Sequence, residues 1–134
     1  MTAQAVADLG VRSTVVAGGP ASVSDAVLSS FPAPRRIGGA TRFDVSAGVA
    51  AWAAANGVDS SSVLVANGGG TVLADALSGG QLGRITVYAN GNTLPAPVAS
   101  WLDGNARLAL VTVLGGEASV GPLAAGRAQQ AVLG

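Results

Sequence analysis

Short β-branched runs ending in glycine alternate with alanine-rich segments along the whole chain. That alternation limits the fold more than any other feature. "STVVAGG" reads as a strand over about Ser13–Ala17, and "RRIGG" as a very short one. "SSVLVANGG", "RITVYANGN" and "RLALVTVLGG" supply three more. Between them lie helical patterns. "SVSDAVLSSF" places Val23, Val27 and Phe31 four apart on one face, with Ser22 or Ser24 to cap its start. In "TRFDVSAGVAAWAAANG", Thr41 with Asp44 three residues on has capping-box form. Val45, Val49 and Trp52 make a stripe there, and Asn56-Gly57 a stop. "TVLADALSGGQLG", "LPAPVASWLDG" and "GPLAAGRAQQAVLG" are further helices, and the prolines of the second fall in its tolerant first turn. Strand–helix alternation at this spacing implies βαβ units and a mostly parallel sheet with helices on both faces. "VLVA" and "LALVTVL" are near-continuous apolar runs, as strands covered on both faces require.

An internal repeat sharpens this. "VVAGGPASV" (15–23) returns 97 residues later within "VTVLGGEASV" (111–120), so that Gly18 aligns with Gly115 and Val23 with Val120. That offset is too long for a solenoid unit and suits a small α/β module. Residues 1–134 then form a single module of one full repeat, with 111–134 as the start of a second. The last strand and helix either complete the first sheet or begin the next module.

Composition narrows the chemistry. Hydrophobic residues are 49% of the chain and aromatics 4%, so the apolar volume is mostly Ala, Val and Leu. Charged residues are 10%, well under the usual quarter, and the formal net charge is zero. Nothing here makes the basic field that nucleic acid binding needs. So sparse a set of charges predicts that part of the apolar surface is covered by another copy or domain. Cysteine and histidine are absent, which excludes thiol chemistry, Cys/His zinc sites and Ser-His-Asp triads. All seven basic residues are arginine, as codon bias in a GC-rich genome would produce. No apolar run is long enough to span a bilayer. "MTAQAVADLG" has no basic n-region or apolar h-region, so it is not a signal peptide. An exported protein would carry this chain as a piece of something longer.

In a parallel sheet the glycines after each strand share the carboxyl rim, where open α/β sheets bind ligands. They include Gly18-Gly19, Gly38-Gly39, Gly68-Gly69-Gly70, Gly91 and Gly115-Gly116. Tight βα turns need glycine for their own sake, and no P-loop or GxGxxG nucleotide signature is present.

The chain resembles the type 2 cell-wall-binding repeat family of Gram-positive surface proteins. Four motifs carry the resemblance: "VVAGGPASVSDAVL", "RRIGGATRFDVSAGVA", "VLVANGGGTVLADALSGGQL" and "VTVLGGEASV". Arg36, Ile37, Gly39, Arg42 and Phe43 carry the second motif, and Ala74-Asp75-Ala76-Leu77 the third. Asp44-Val45 departs from a position where members often have Thr, and the Gly68–Gly70 run replaces a more usual aromatic. The resemblance implies a Rossmann-like three-layer α/β module, usually in three tandem copies. It implies non-covalent, non-catalytic anchoring of a surface protein to anionic wall polysaccharide, outside the cell and with no cofactor.

The residues leave rival roles open. Arg36 and Arg42 flank Gly38-Gly39 at the mouth of the Thr41 helix, placed to clamp a phosphate or carboxylate. Arg42 paired internally with Asp75 is the competing reading. Asn67, Gly68 and Asn90 fall on the same rim, where amides suit glycan hydroxyls and ordinary turns alike. Trp52 and Trp101 read as core. Two further functions compete with anchoring. One is self-assembly into a homo-oligomer, a trimer among the candidates. The other is a carboxylate-based enzyme built on Asp44, Asp75 or Glu117.

Overall fold

The computed structural model describes residues 2–70 and 74–134. The elements run α1 (Thr2–Asp8), β1 (Thr14–Ala17), α2 (Asp25–Leu28), β2 (Pro34–Ile37), α3 (Arg42–Ala55), β3 (Ser62–Asn67) and α4 (Ala74–Gly79). A 3₁₀ turn at Gly80–Leu82 leads into β4 (Ile85–Ala89), α5 (Ala96–Asp103), β5 (Leu110–Val113) and α6 (Pro122–Leu133). The expected first turn of the fourth helix, residues 71–73, lies outside the described residues.

Among the described residues all strand pairing is parallel, as the alternation predicts, but it forms two sheets. β1 pairs with β2, and a second sheet has the order β4-β3-β5. One reason for the split lies on β4. The Gly68 N–H donates to the Ala89 carbonyl, so Tyr88, one residue back, aims its own N–H away from β3. The Ser46 hydroxyl of α3 accepts that N–H at 3.1 Å, occupying an edge donor that a further strand would use. The β1–β2 pair also buries little, with Val16 and Ile37 as its buried apolar residues.

The core lies on one face of the larger sheet. Val63, Val65, Ile85, Val87, Ala89 and Val111 meet Ala47 and Ala50 of α3, Val98 and Leu102 of α5, and Ala124 and Ala128 of α6. On the opposite face α4 covers Leu64, and a Cβ on Gly79 would lie 2.7 Å from Leu114 Cδ1 and 3.2 Å from Leu64 Cδ1. Helices thus flank a parallel sheet, in keeping with a three-layer α/β module.

Two helical stripes differ from expectation. α2 is one turn long with no buried residue, and Val27 is half exposed. The Ser29 and Ser30 hydroxyls donate to the Asp25 and Val27 carbonyls, closing the helix where it would otherwise continue. In α3 the fully buried face is Ser46, Ala47 and Ala50, while Val45, Val49 and Trp52 are half buried. Alanine lets the helix approach the sheet closely, so the larger side chains are turned to the flanks. The capping box itself forms as read: the Thr41 hydroxyl accepts from Phe43 and Asp44 N–H, and Asp44 accepts from the Thr41 N–H.

The two repeated turns have one geometry. Gly18 and Gly115 both have positive φ, 124° and 93°. The Ser22 and Val23 N–H groups donate to the Gly19 carbonyl, and those of Ser119 and Val120 to Gly116. β5, which leads into the second of these turns, pairs with β3 in the larger sheet.

Candidate functional site at the carboxyl rim

A cleft of about 610 Å³ opens between the two sheets at their carboxyl ends. The β1 turn supplies Gly18, Gly19 and Ser22, and the α3 entry supplies Gly39, Thr41 and Arg42. Val45 and Val49 line it from α3, with Thr86 and Tyr88 from β4. Its lining therefore combines aliphatic carbons, one aromatic ring, hydroxyls and a guanidinium. Such a lining suits a hydroxyl-rich ligand with apolar ring faces.

Arg36 and Arg42 are not brought together around Gly38-Gly39. Arg36 turns back to the first repeated turn, where Nη1 donates to the Gly18 carbonyl at 2.7 Å and Nη2 to the Val23 carbonyl at 2.7 Å. Nη2 also pairs with Asp25 at 3.0 Å. Arg36 is thus spent on holding β1, α2 and β2 together. Arg42 Nη1 donates to the carbonyls of Gly68 and Gly70 at 3.0 and 3.1 Å. Of the two readings left open for Arg42, the pair with Asp75 is not what it makes here: backbone carbonyls of the β3–α4 loop take the place of that carboxylate. Nε and Nη2 of Arg42 have no hydrogen-bond partner among the described residues.

The start of α3 is already occupied by an acid. The Thr41 hydroxyl and then its N–H hold the Asp44 carboxyl below its ordinary value. The helix-entry donors that an incoming anion would seek are therefore shared with a resident carboxylate.

The rim glycines and amides are packed tightly. A Cβ on Gly39 would sit 2.3 Å from Asp44 Cβ, and one on Gly68 2.7 Å from the Tyr88 side chain. Gly38 has more room, with its nearest neighbour at 3.7 Å. Asn67 Oδ1 accepts from the Gly69 and Gly91 N–H groups, tying the β3 and β4 ends together. Asn90 closes a small loop by exchanging backbone bonds with Thr93. Asn92 Oδ1 accepts the Leu123 N–H at the start of α6. Asp75 lies across the rim beside Gly115.

Sequence reasoning passed over Ser46, Thr86 and Tyr88. The period-2 alternation of "ITVYA" held the signal: Ile85, Val87 and Ala89 face the core, so Thr86 and Tyr88 share the other side. Of the tryptophans, Trp101 packs against the core. Trp52 lines a second cleft of about 420 Å³ with Arg35, Gly48 and Asn56.

Fold and cleft define the class: a parallel α/β module with a concave, partly polar site on its carboxyl rim. Residues 36–124 match the family described as cell wall binding domain 2 (CWB2), and the chain belongs to that family. Its role is accordingly in binding or anchoring at the cell wall. It is 27% identical over 137 residues to N-acetylmuramoyl-L-alanine amidase LytC of Bacillus subtilis (strain 168). That match takes in 99% of this chain and 26% of the amidase. Cwp6 from Clostridium difficile shares the fold, with a TM-score of 0.82 at 22% identity over 96% of this chain and 21% of that one. The chain thus spans about a quarter of the curated relative it matches.

Proposed function

We propose that this chain is a non-catalytic module that holds a surface protein non-covalently to anionic cell-wall polysaccharide, outside the cell. CWB2 membership carries the reading. The rim cleft supports it, with the Tyr88 ring and Val45 and Val49 for sugar faces, and Thr86 for hydroxyls. The Arg42 guanidinium, whose Nε and Nη2 have no hydrogen-bond partner among the described residues, supplies the charge for an acidic group on the polymer. With neither His nor Cys, the chain has no nucleophile–base pair of the usual kinds. No helix among the described residues is long and apolar enough to cross a membrane. Self-assembly is a second reading, favoured by exposed Leu77, Leu110 and Leu123.

Co-sedimentation with purified Gram-positive walls, before and after chemical removal of their anionic polymers, tests this. Binding should fall on stripped walls and weaken with salt. Tyr88→Ala and Arg42→Ala, shown to be folded by circular dichroism, should each bind about tenfold more weakly. Equal binding to stripped walls removes the anionic polymer from the proposal. Wild-type binding by both variants removes the cleft.

A further inference from the structure

Asn56, Asn67 and Asn90 each precede a glycine. In such a pair the glycine amide nitrogen can attack the asparagine side chain, because no Cβ shields it. The three pairs carry the same local chemistry, and the fold treats them differently.

Two of the pairs are held by the larger sheet. The Gly68 N–H donates to the Ala89 carbonyl at 2.8 Å, and Asn67 Oδ1 accepts from the Gly69 and Gly91 N–H groups. Gly68 is buried, and a Cβ there would lie 2.7 Å from the Tyr88 side chain. Asn67 thus has its amide pinned and its attacking nitrogen locked in a sheet bond with no room to turn. Asn90 is exposed, but the nitrogen that would attack it is engaged. The Gly91 N–H donates to Asn67 Oδ1 at 3.1 Å, and the Gly91 carbonyl accepts from Gly121. Asn90 itself exchanges backbone bonds with Thr93. Freeing either nitrogen means opening the carboxyl ends of β3 and β4 beside the core.

The Asn56-Gly57 pair closes the C-terminus of α3, and both residues are exposed. The Gly57 N–H reaches the Ala54 carbonyl at 3.3 Å, a longer bond than the one at Gly68. Gly57 has φ 91°, and nothing lies within 4 Å of where its Cβ would be. The Asn56 side chain donates from Nδ2 to the Trp52 carbonyl at 2.7 Å. Fraying of the last helical turn releases both groups, and helix ends open at far lower free energy than a packed sheet.

We propose that Asn56 is a site of spontaneous deamidation in the folded protein, and that tertiary hydrogen bonds protect Asn67 and Asn90. The Gly57 nitrogen gives its proton to hydroxide and bonds to Asn56 Cγ. The Cγ–Nδ2 bond breaks and ammonia leaves. Water then opens the succinimide at either carbonyl, giving aspartate or isoaspartate. Each product removes the donor to Trp52 and sets a carboxylate at the negative end of the helix dipole. The new charge lies in the cleft that Asn56 shares with Arg35 and Trp52. It accumulates with time at the opposite end of the helix that carries Arg42. This holds whichever polymer the chain meets.

The test incubates the whole protein at mildly alkaline pH, folded and in concentrated urea, and follows each asparagine by tandem mass spectrometry of its peptides. In urea all three should convert at similar rates. In the folded protein Asn56 should convert within about tenfold of its rate in urea, and Asn67 and Asn90 more than about a hundredfold more slowly than theirs. Asn56→Gln should remove most of the ammonia that the folded protein releases. Conversion of Asn67 or Asn90 as fast as Asn56, in protein shown to be folded by circular dichroism, would overturn the proposed protection. An unchanged Asn56 in the folded protein would overturn the site itself.

Discussion

The turns at 18–23 and 115–120 share sequence, glycine conformation and hydrogen bonds, yet their surroundings have little in common. Val120 is 2% exposed and sits in the core, while Val23 is half-buried and lies outside it. The first turn opens α2, four residues long with none buried. The second opens α6, twelve residues long with Ala124 and Ala128 fully buried. One turn is held by a guanidinium from β2; the other is held by what packs beneath it. A local motif therefore fixes the path of its own backbone and leaves its energetic weight to its neighbours.

The largest expected contrast lies in the two valines. Val120→Ala should cost about 2 kcal/mol by lost burial and an unfilled cavity. Val23→Ala should cost less, about 1 kcal/mol, because that side chain is only half-buried and lies outside the core cluster. Matched urea midpoints for the two would break the comparison. Arg36→Ala comes next, at about 2 kcal/mol for charge-assisted bonds lost from a mostly buried side chain. Its effect should be local: amide exchange should speed up at Gly18 and not at Val65. Arg36→Lys should fail to restore protection, since one ammonium does not reproduce the guanidinium fork. Gly18→Ala and Gly115→Ala should each cost about 1–2 kcal/mol for placing a Cβ at positive φ. Thermal melts that leave either unchanged would show that its turn relaxes.

The smallest effect is acid sensitivity, and it belongs to the larger half of the molecule. The Arg127 hydrogen bond holds the Asp103 carboxyl below its ordinary value, and Ser61 N–H and hydroxyl do the same for Asp59. Asp44 is lowered by Thr41. Carboxyls depressed in the folded state add stability above their unfolded values and lose it as pH falls through the folded ones. The melting temperature should hold through neutral pH and decline below about pH 4. Asp103→Asn should flatten part of that decline.

Much of the fold was legible. The Thr41–Asp44 capping box, the proline-tolerant start of α5 and the continuous apolar run of β3 all follow from short-range rules. The burial of α3 was less so. The rule that large apolar residues mark the buried face favoured Val45, Val49 and Trp52, but close packing on the sheet selected Ala47 and Ala50. For the site, the rim glycines were placed by strand ends alone. The partners of Arg36 and Arg42 were not legible, because the carbonyls they meet are 18 and 26 residues away and carry no side-chain signal.

By itself, then, the sequence determined the parallel α/β class, the positions of the turns and the chemistry that is missing. These depend on residue type and spacing over a few positions. Only the tertiary structure decided that the strands divide into two sheets, that a cleft opens between them, and that both arginines are bound to backbone. Those outcomes depend on which groups meet across the chain, and a carbonyl is the same in every residue.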